Sequence, residues 1–113
     1  MLEIETSNGK SLICLKLSGE LEISTVEQLR LCVERLCLCV ERLPDGLTEV
    51  HLDFLGIEFV DSTGIGTLIN VMKDLREQDI KVMVTRIPKE IYEVFDLLSI
   101  PELMGEDSFE CLS

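Results

Sequence analysis

The apolar residues of this chain change their spacing along its length, and the order of those changes restricts the fold more than any other feature. Leu2-Glu3-Ile4-Glu5 alternates, Ser7-Asn8-Gly9-Lys10 has the composition of a turn, and Ser11 to Leu17 reads as a second strand. An antiparallel hairpin is therefore predicted at the start, with Ser18-Gly19 breaking its second strand. The period then becomes helical: Val26, Leu29, Val33, Leu36, Val40 and Leu43 recur at intervals of three and four. Ser24-Thr25-Val26-Glu27 ahead of them has the form of a capping box, and Pro44-Asp45-Gly46 stops the helix. Glu49 to Phe54 alternates again, and a short apolar stretch, Ile57 to Val60, leads into Asp61-Ser62-Thr63-Gly64. Ile65, Leu68, Ile69, Met72 and Leu75 mark a second helix that ends near Gln78-Asp79. Ile80 to Thr85 is a fourth strand, and Pro88 suits the first turn of a third helix with Ile91, Val94, Phe95 and Leu98 on its face. Pro101 is expected to end that helix, and the acidic tail from Gly105 to Ser113 is weakly patterned.

Strands alternating with helices after an opening hairpin predict an α/β fold. A mixed sheet of about four strands, parallel in its later part, is expected to pack against amphipathic helices. A length of 113 residues and the lack of a Pro/Gly/Ser linker make residues 1–113 one domain. With 4% aromatic residues and no Trp the core must be aliphatic, and no stacking platform for bases or sugars is expected.

The first helix contains a tandem repeat. Leu31-Cys32-Val33-Glu34-Arg35-Leu36 recurs letter for letter as Leu38-Cys39-Val40-Glu41-Arg42-Leu43. Seven residues return a helix face to within about 20° of its starting direction, so such a duplication keeps the apolar side inward. It lengthens the rod by about 10 Å. The repeat reads either as a longer amphipathic helix without a new role or as a face for self-association through residues 31–43; an introduced duplication is a third reading.

Twenty-two acidic against ten basic residues leave a net charge of −12, which argues against direct binding to nucleic acid or anionic membranes. Charged partners should be basic, although an acidic surface also serves solubility alone. The Met1–Thr6 segment has no basic or long apolar run, and no stretch nears the roughly 18 residues needed to span a bilayer, so a cytoplasmic location is expected. The five cysteines, at 14, 32, 37, 39 and 111, lack ligand-like spacing and read as reduced core residues; no metal or other cofactor is expected.

Catalytic constellations find no foothold. Gly64-x-Gly66 lacks the third glycine of a dinucleotide loop, and no Gly-Lys-Ser/Thr cradle occurs. The lone His51 should lie solvated on the polar face of its strand, and paired acids such as Glu20/Glu22 and Glu106/Asp107 lie in exposed-looking segments. The Asp61–Gly66 segment stands apart. Ser62 or Asp61 is the natural N-cap of the second helix, at the positive end of its dipole. Gly64 and Gly66 each cost a helix about 1 kcal/mol relative to Ala. They imply a close approach to the backbone, whether by a partner or by the sheet beneath.

These residues resemble a known family. Phe59-Val60-Asp61-Ser62-Thr63-Gly64-Ile65-Gly66 is similar to the Asp-Ser-Ser/Thr-Gly-Leu-Gly signature of STAS-domain anti-sigma factor antagonists. Gly19-Glu20-Leu21-Glu22 with Thr25 and Leu29 resembles the family's Gly-x-Leu-Asp element, with Glu22 in place of Asp. Val50 to Phe54 and Ile91 to Leu98 resemble the strand before the switch and a later helix. The repeat lengthens the first helix beyond the family pattern, and the C-terminal segment looks short.

The resemblance implies a non-catalytic partner switch. Ser62 would accept phosphate from an anti-sigma factor that is a GHKL-type serine kinase, and a PP2C-type phosphatase would remove it. Asp61 would orient the site, while Thr63, Gly64 and Gly66, with Glu22 nearby, would line the contact. Only the unphosphorylated form would bind the anti-sigma factor and free a sigma factor. The alternatives are an unphosphorylated STAS subunit of a transport or other signalling assembly, and a small-ligand or nucleotide sensor.

Overall fold

Strand β1 (Leu2–Asn8) and strand β2 (Leu12–Leu21) form the expected antiparallel hairpin, closed by a hydrogen bond from the Gly9 N–H to the Leu12 carbonyl. The computed structural model describes residues 1–39 and 46–112, with backbone alone at 38 and 39. Helix α1 (Val26–Cys39) leads towards strand β3 (Glu49–Val60), and helix α2 (Ser62–Glu77) connects β3 to strand β4 (Lys81–Ile87). Helices α3 (Lys89–Leu97) and α4 (Ile100–Met104) and a 3-10 turn (Glu106–Ser108) precede strand β5 (Phe109–Cys111). The strands lie in chain order, with β2, β3, β4 and β5 mutually parallel.

Successive right-handed crossovers that advance in one direction set their helices on one side of the sheet. Burial follows that rule. Leu15 and Leu17 of β2, Val50, Leu52 and Phe54 of β3, and Val82 and Val84 of β4 are buried beneath the helices. Phe54 meets Phe95 of α3 edge to face, with centroids 6.1 Å apart, and Phe95 meets Phe109 of β5 in the same way. Residues between them, such as Lys16 and Leu55, point to the bare side.

Several expectations are corrected by packing. Ser18-Gly19 does not break β2. Gly19 has φ +105 and sits against Met1, so the strand absorbs a register shift there and runs on to Leu21. In β3, the strand to Phe54 and the stretch from Ile57 to Val60 are one element, because Gly56 admits Ser18 of β2: a Cβ at Gly56 would lie 2.6 Å from the Ser18 Cβ. The capping box at Ser24 and Glu27 is not formed. Ser24 donates its hydroxyl to the Glu22 carboxylate and Glu27 pairs with Arg30 at 3.1 Å. The buried Thr25 hydroxyl takes the local role, donating to the Glu20 carbonyl at 2.7 Å and accepting from the Glu22 N–H at 3.0 Å.

Helix α3 ends at Leu97, and Leu98 is exposed instead of facing the core. Ser99, at φ 57, turns the chain left-handed, and Pro101 then falls in the first turn of α4, where its missing N–H costs nothing. The weakly patterned tail supplies a fifth strand, whose single inward residue, Phe109, was too short a signal to read. Of the apolar face assigned to α1, Leu29 and Val33 are buried and Val26 and Leu36 partly so; Val40, Leu43 and most of the second repeat copy lie outside the described residues. Of the cysteines whose side chains are described, Cys32 and Cys37 are half-buried against the core as expected, whereas Cys14 is half-buried outside it and Cys111 is exposed; all four are free thiols. Burial pushes the Cys14 and Cys32 thiols up, away from reactivity.

Candidate functional site

The site is built where β3 ends on the helical side of the sheet. Val60 is buried, Asp61 is extended (φ −111, ψ −178), and α2 starts at Ser62. Asp61, and not Ser62, is the N-cap: its Oδ1 accepts from the Gly64 N–H at 2.7 Å. Its Oδ2 accepts from the Ile23 N–H at 3.1 Å, so one carboxylate joins α2 to the β2–α1 turn. Because Asp61 serves the cap, the Ser62 hydroxyl is left on the exposed surface of the first helical turn.

The two glycines have different causes. The Leu21 carbonyl accepts from the Asp61 N–H at 3.3 Å and lies against the first turn of α2. A Cβ on Gly64 would overlap it, so Gly64 is buried and is required by the fold itself. A Cβ on Gly66 would meet nothing within 4 Å, and Gly66 is exposed. Ser62, Gly66 and Asn70, four residues apart, form one exposed strip with Thr63 beside it, while Ile65, Leu68, Met72 and Leu75 face the sheet. The strip therefore brings together Ser62, Thr63 and Gly66 of the residues singled out in the sequence, and Gly64 lies beneath it.

Glu22, expected among solvated charges, is half-buried in the turn, where it accepts from the Ser24 N–H at 3.2 Å. Residues 17–27 and 49–66, which frame Ser62, contain no Lys or Arg. The helix N-terminus thus offers partial positive charge inside an acidic surround of Glu22, Glu58 and Asp61. No basic side chain hydrogen-bonds Ser62 among the described residues, so nothing here activates it as a nucleophile. His51, between the inward-facing Val50 and Leu52, lies on the bare face as expected, half-buried against Glu49 near the opposite end of β3. The described residues contain no group of three or more metal-ligating side chains.

Two features escaped the sequence reading. A groove of about 590 Å³ runs between α1 and α2, with Val33, Cys37 and Val71 in its walls and Glu34, Asp74 and Glu77 around it. Three carboxylates against Arg30 make it a poor receptor for a nucleotide's phosphates. On the bare face, Asp53 is buried beneath Arg86, whose Nε donates to both carboxylate oxygens at 3.2 and 3.1 Å and whose Nη2 donates to Oδ2, and the Leu55 N–H adds a third donor at 3.0 Å. Burial raises the Asp53 carboxyl, but these donors outweigh it and hold the group below the ordinary carboxylate value. Arg86 adopts φ 48 to make this contact. An acid between Leu52 and Phe54 was the available signal, but its partner lies 33 residues on.

The described residues thus form a five-stranded sheet with helices on one side and place an exposed hydroxyl at the start of its second helix. The STAS domain family model matches residues 2–110, and the chain belongs to that family. It is 27% identical over 103 residues to an anti-sigma-B factor antagonist of Staphylococcus epidermidis, covering 91% of this chain and 90% of the relative. Its fold is similar to that of an anti-sigma factor antagonist from Mycobacterium paratuberculosis, with TM-score 0.76, 15% identity and coverage of 93% and 84% of the two chains. It is also similar to a sulfate transporter family protein from Wolinella succinogenes, with TM-score 0.66, 12% identity and coverage of 88% and 76%. The fold alone is thus common to regulators and to transporter-associated proteins.

Proposed function

We propose that this chain is an anti-sigma factor antagonist whose Ser62 hydroxyl is a phosphorylation switch. The observation that carries the reading is the division of labour between Asp61 and Ser62: the acid caps α2 and the hydroxyl stays free on the surface. The antagonist relative, aligned over most of both chains, supports the same choice. A constitutive transport-assembly subunit would have no use for that hydroxyl.

The kinase-type anti-sigma factor supplies ATP and the base. The Ser62 oxygen takes the γ-phosphoryl, its proton passes to the kinase and ADP leaves; this chain contributes no catalytic group. Phosphate brings about −1.5 to −2 charges, which a helix N-terminus tolerates, so the fold persists. The partner meets Ser62 with its nucleotide, so a phosphate there faces other phosphates, and binding is lost at the interface. A PP2C-type phosphatase resets the switch, in the cytoplasm and without contact to DNA.

Incubation with the kinase and ATP, followed by mass spectrometry, should place one phosphate on Ser62. Ser62→Ala should remain folded and bind the kinase constitutively, and Ser62→Asp should bind weakly. Equal binding by the two variants, or phosphate only on Thr63, overturns the switch and favours a constitutive transport-assembly subunit.

A further inference from the structure

Two large exposed apolar side chains lie on the segments that meet at Asp61, the β2–α1 turn and the end of β3. Ile23 is 70% exposed and Phe59 is 52% exposed. Neither is on a loose segment. The Ile23 N–H is bonded to Asp61, and its turn is held by the Thr25 hydroxyl on Glu20 and the Glu22 carboxylate on Ser24. Phe59 lies in β3 opposite Glu20 of β2, two residues before Asp61. Their backbone is already ordered, so covering them orders little further main chain.

The surround indicates what covers them. Glu22, Glu58 and Asp61 lie in the two segments that carry this patch, and those segments contain no Lys or Arg. An apolar centre with an acidic rim fits a protein surface of apolar pockets edged by Lys and Arg. Asp61, which immediately precedes Ser62, accepts from the Ile23 N–H and follows Phe59 by two residues, so both apolar residues are on segments tied to the switch.

We infer that Ile23 and Phe59 are the apolar anchors through which the anti-sigma factor kinase grips this chain, with Glu22 and Glu58 selecting its basic rim. This rests on the reading of Ser62 as the switch. It adds which residues carry affinity, as distinct from the one that carries the signal. Ser62 controls whether the complex persists, while the anchors determine how tightly the unphosphorylated chain is held.

The test is calorimetric titration of the ADP-loaded kinase from the same organism with the full chain and its Ile23→Ala, Phe59→Ala and Leu97→Ala variants. Leu97, 84% exposed on α3, is the control for exposure alone. Each anchor variant should keep the parent circular dichroism and melting temperature and weaken binding about 10- to 100-fold. Leu97→Ala should change it by less than about twofold. Anchor variants within about threefold of the parent, with Ser62→Asp still binding weakly, overturn the anchors and leave the switch standing. Equal weakening by Leu97→Ala also overturns them. A parent chain that does not bind the kinase removes the switch reading and the anchors together.

Discussion

Asp61 uses both carboxylate oxygens on backbone N–H groups, those of Gly64 in its own helix and of Ile23, 38 residues earlier than Asp61, and that double use defines the site at the scale of single residues. Asp61→Ala should cost about 0.5–2 kcal/mol by thermal or urea unfolding, the usual range for a lost cap. It should also speed hydrogen exchange at the Ile23 amide, which a simple cap would leave unchanged. The two glycines should respond in opposite directions. Gly64→Ala forces a methyl against the Leu21 carbonyl and should destabilise by about 1–3 kcal/mol. Gly66→Ala meets open space and should stabilise by up to about 1 kcal/mol. The Gly66 position thus gives up helix stability without any compensating contact inside the chain, which is consistent with a partner passing close to it.

At the scale of elements, Asp53 and Arg86 tie β3 to β4 on the face that no helix covers. Asp53 is held below its ordinary value when folded, so the unfolded chain binds the proton more readily. The stabilisation is therefore complete above about pH 4, near the ordinary carboxylate value. It is lost as pH falls through the depressed folded value. Asp53→Asn should cost about 1–3 kcal/mol at neutral pH and flatten the acid limb of a stability–pH curve. An unchanged acid limb would show that the pair does not couple protonation to folding. Pro101, by its residue type a helix stop, instead opens α4, because Ser99 reverses the chain ahead of it and leaves Pro101 in a first turn.

For the whole molecule, a net charge of −12 sets the range over which partners are felt. Raising ionic strength from about 0.01 to about 0.15 M shortens the Debye length from about 30 to about 8 Å. Association with a basic-rimmed kinase should slow steeply over that range while dissociation changes little, as stopped-flow mixing would measure. A rate independent of salt would show that the charge serves solubility alone.

The α/β class, the hairpin, the boundaries of α2 and the placing of Ser62 at its start are legible in the chain alone. Each is encoded by neighbours a few residues apart: period two or 3.6, a turn cluster, a cap before an apolar run. Tertiary structure alone decided that Asp61 is the cap, that Gly64 serves the sheet while Gly66 stays open, that Gly19 bends β2 without ending it, and that Asp53 is buried under Arg86. Those outcomes depend on atoms brought together from distant parts of the chain, such as the Leu21 carbonyl over Gly64. No local pattern encodes such a meeting. The exposed hydroxyl of Ser62 belongs to both: its residue type and position were legible in the sequence, and its freedom follows from what Asp61 binds across the fold.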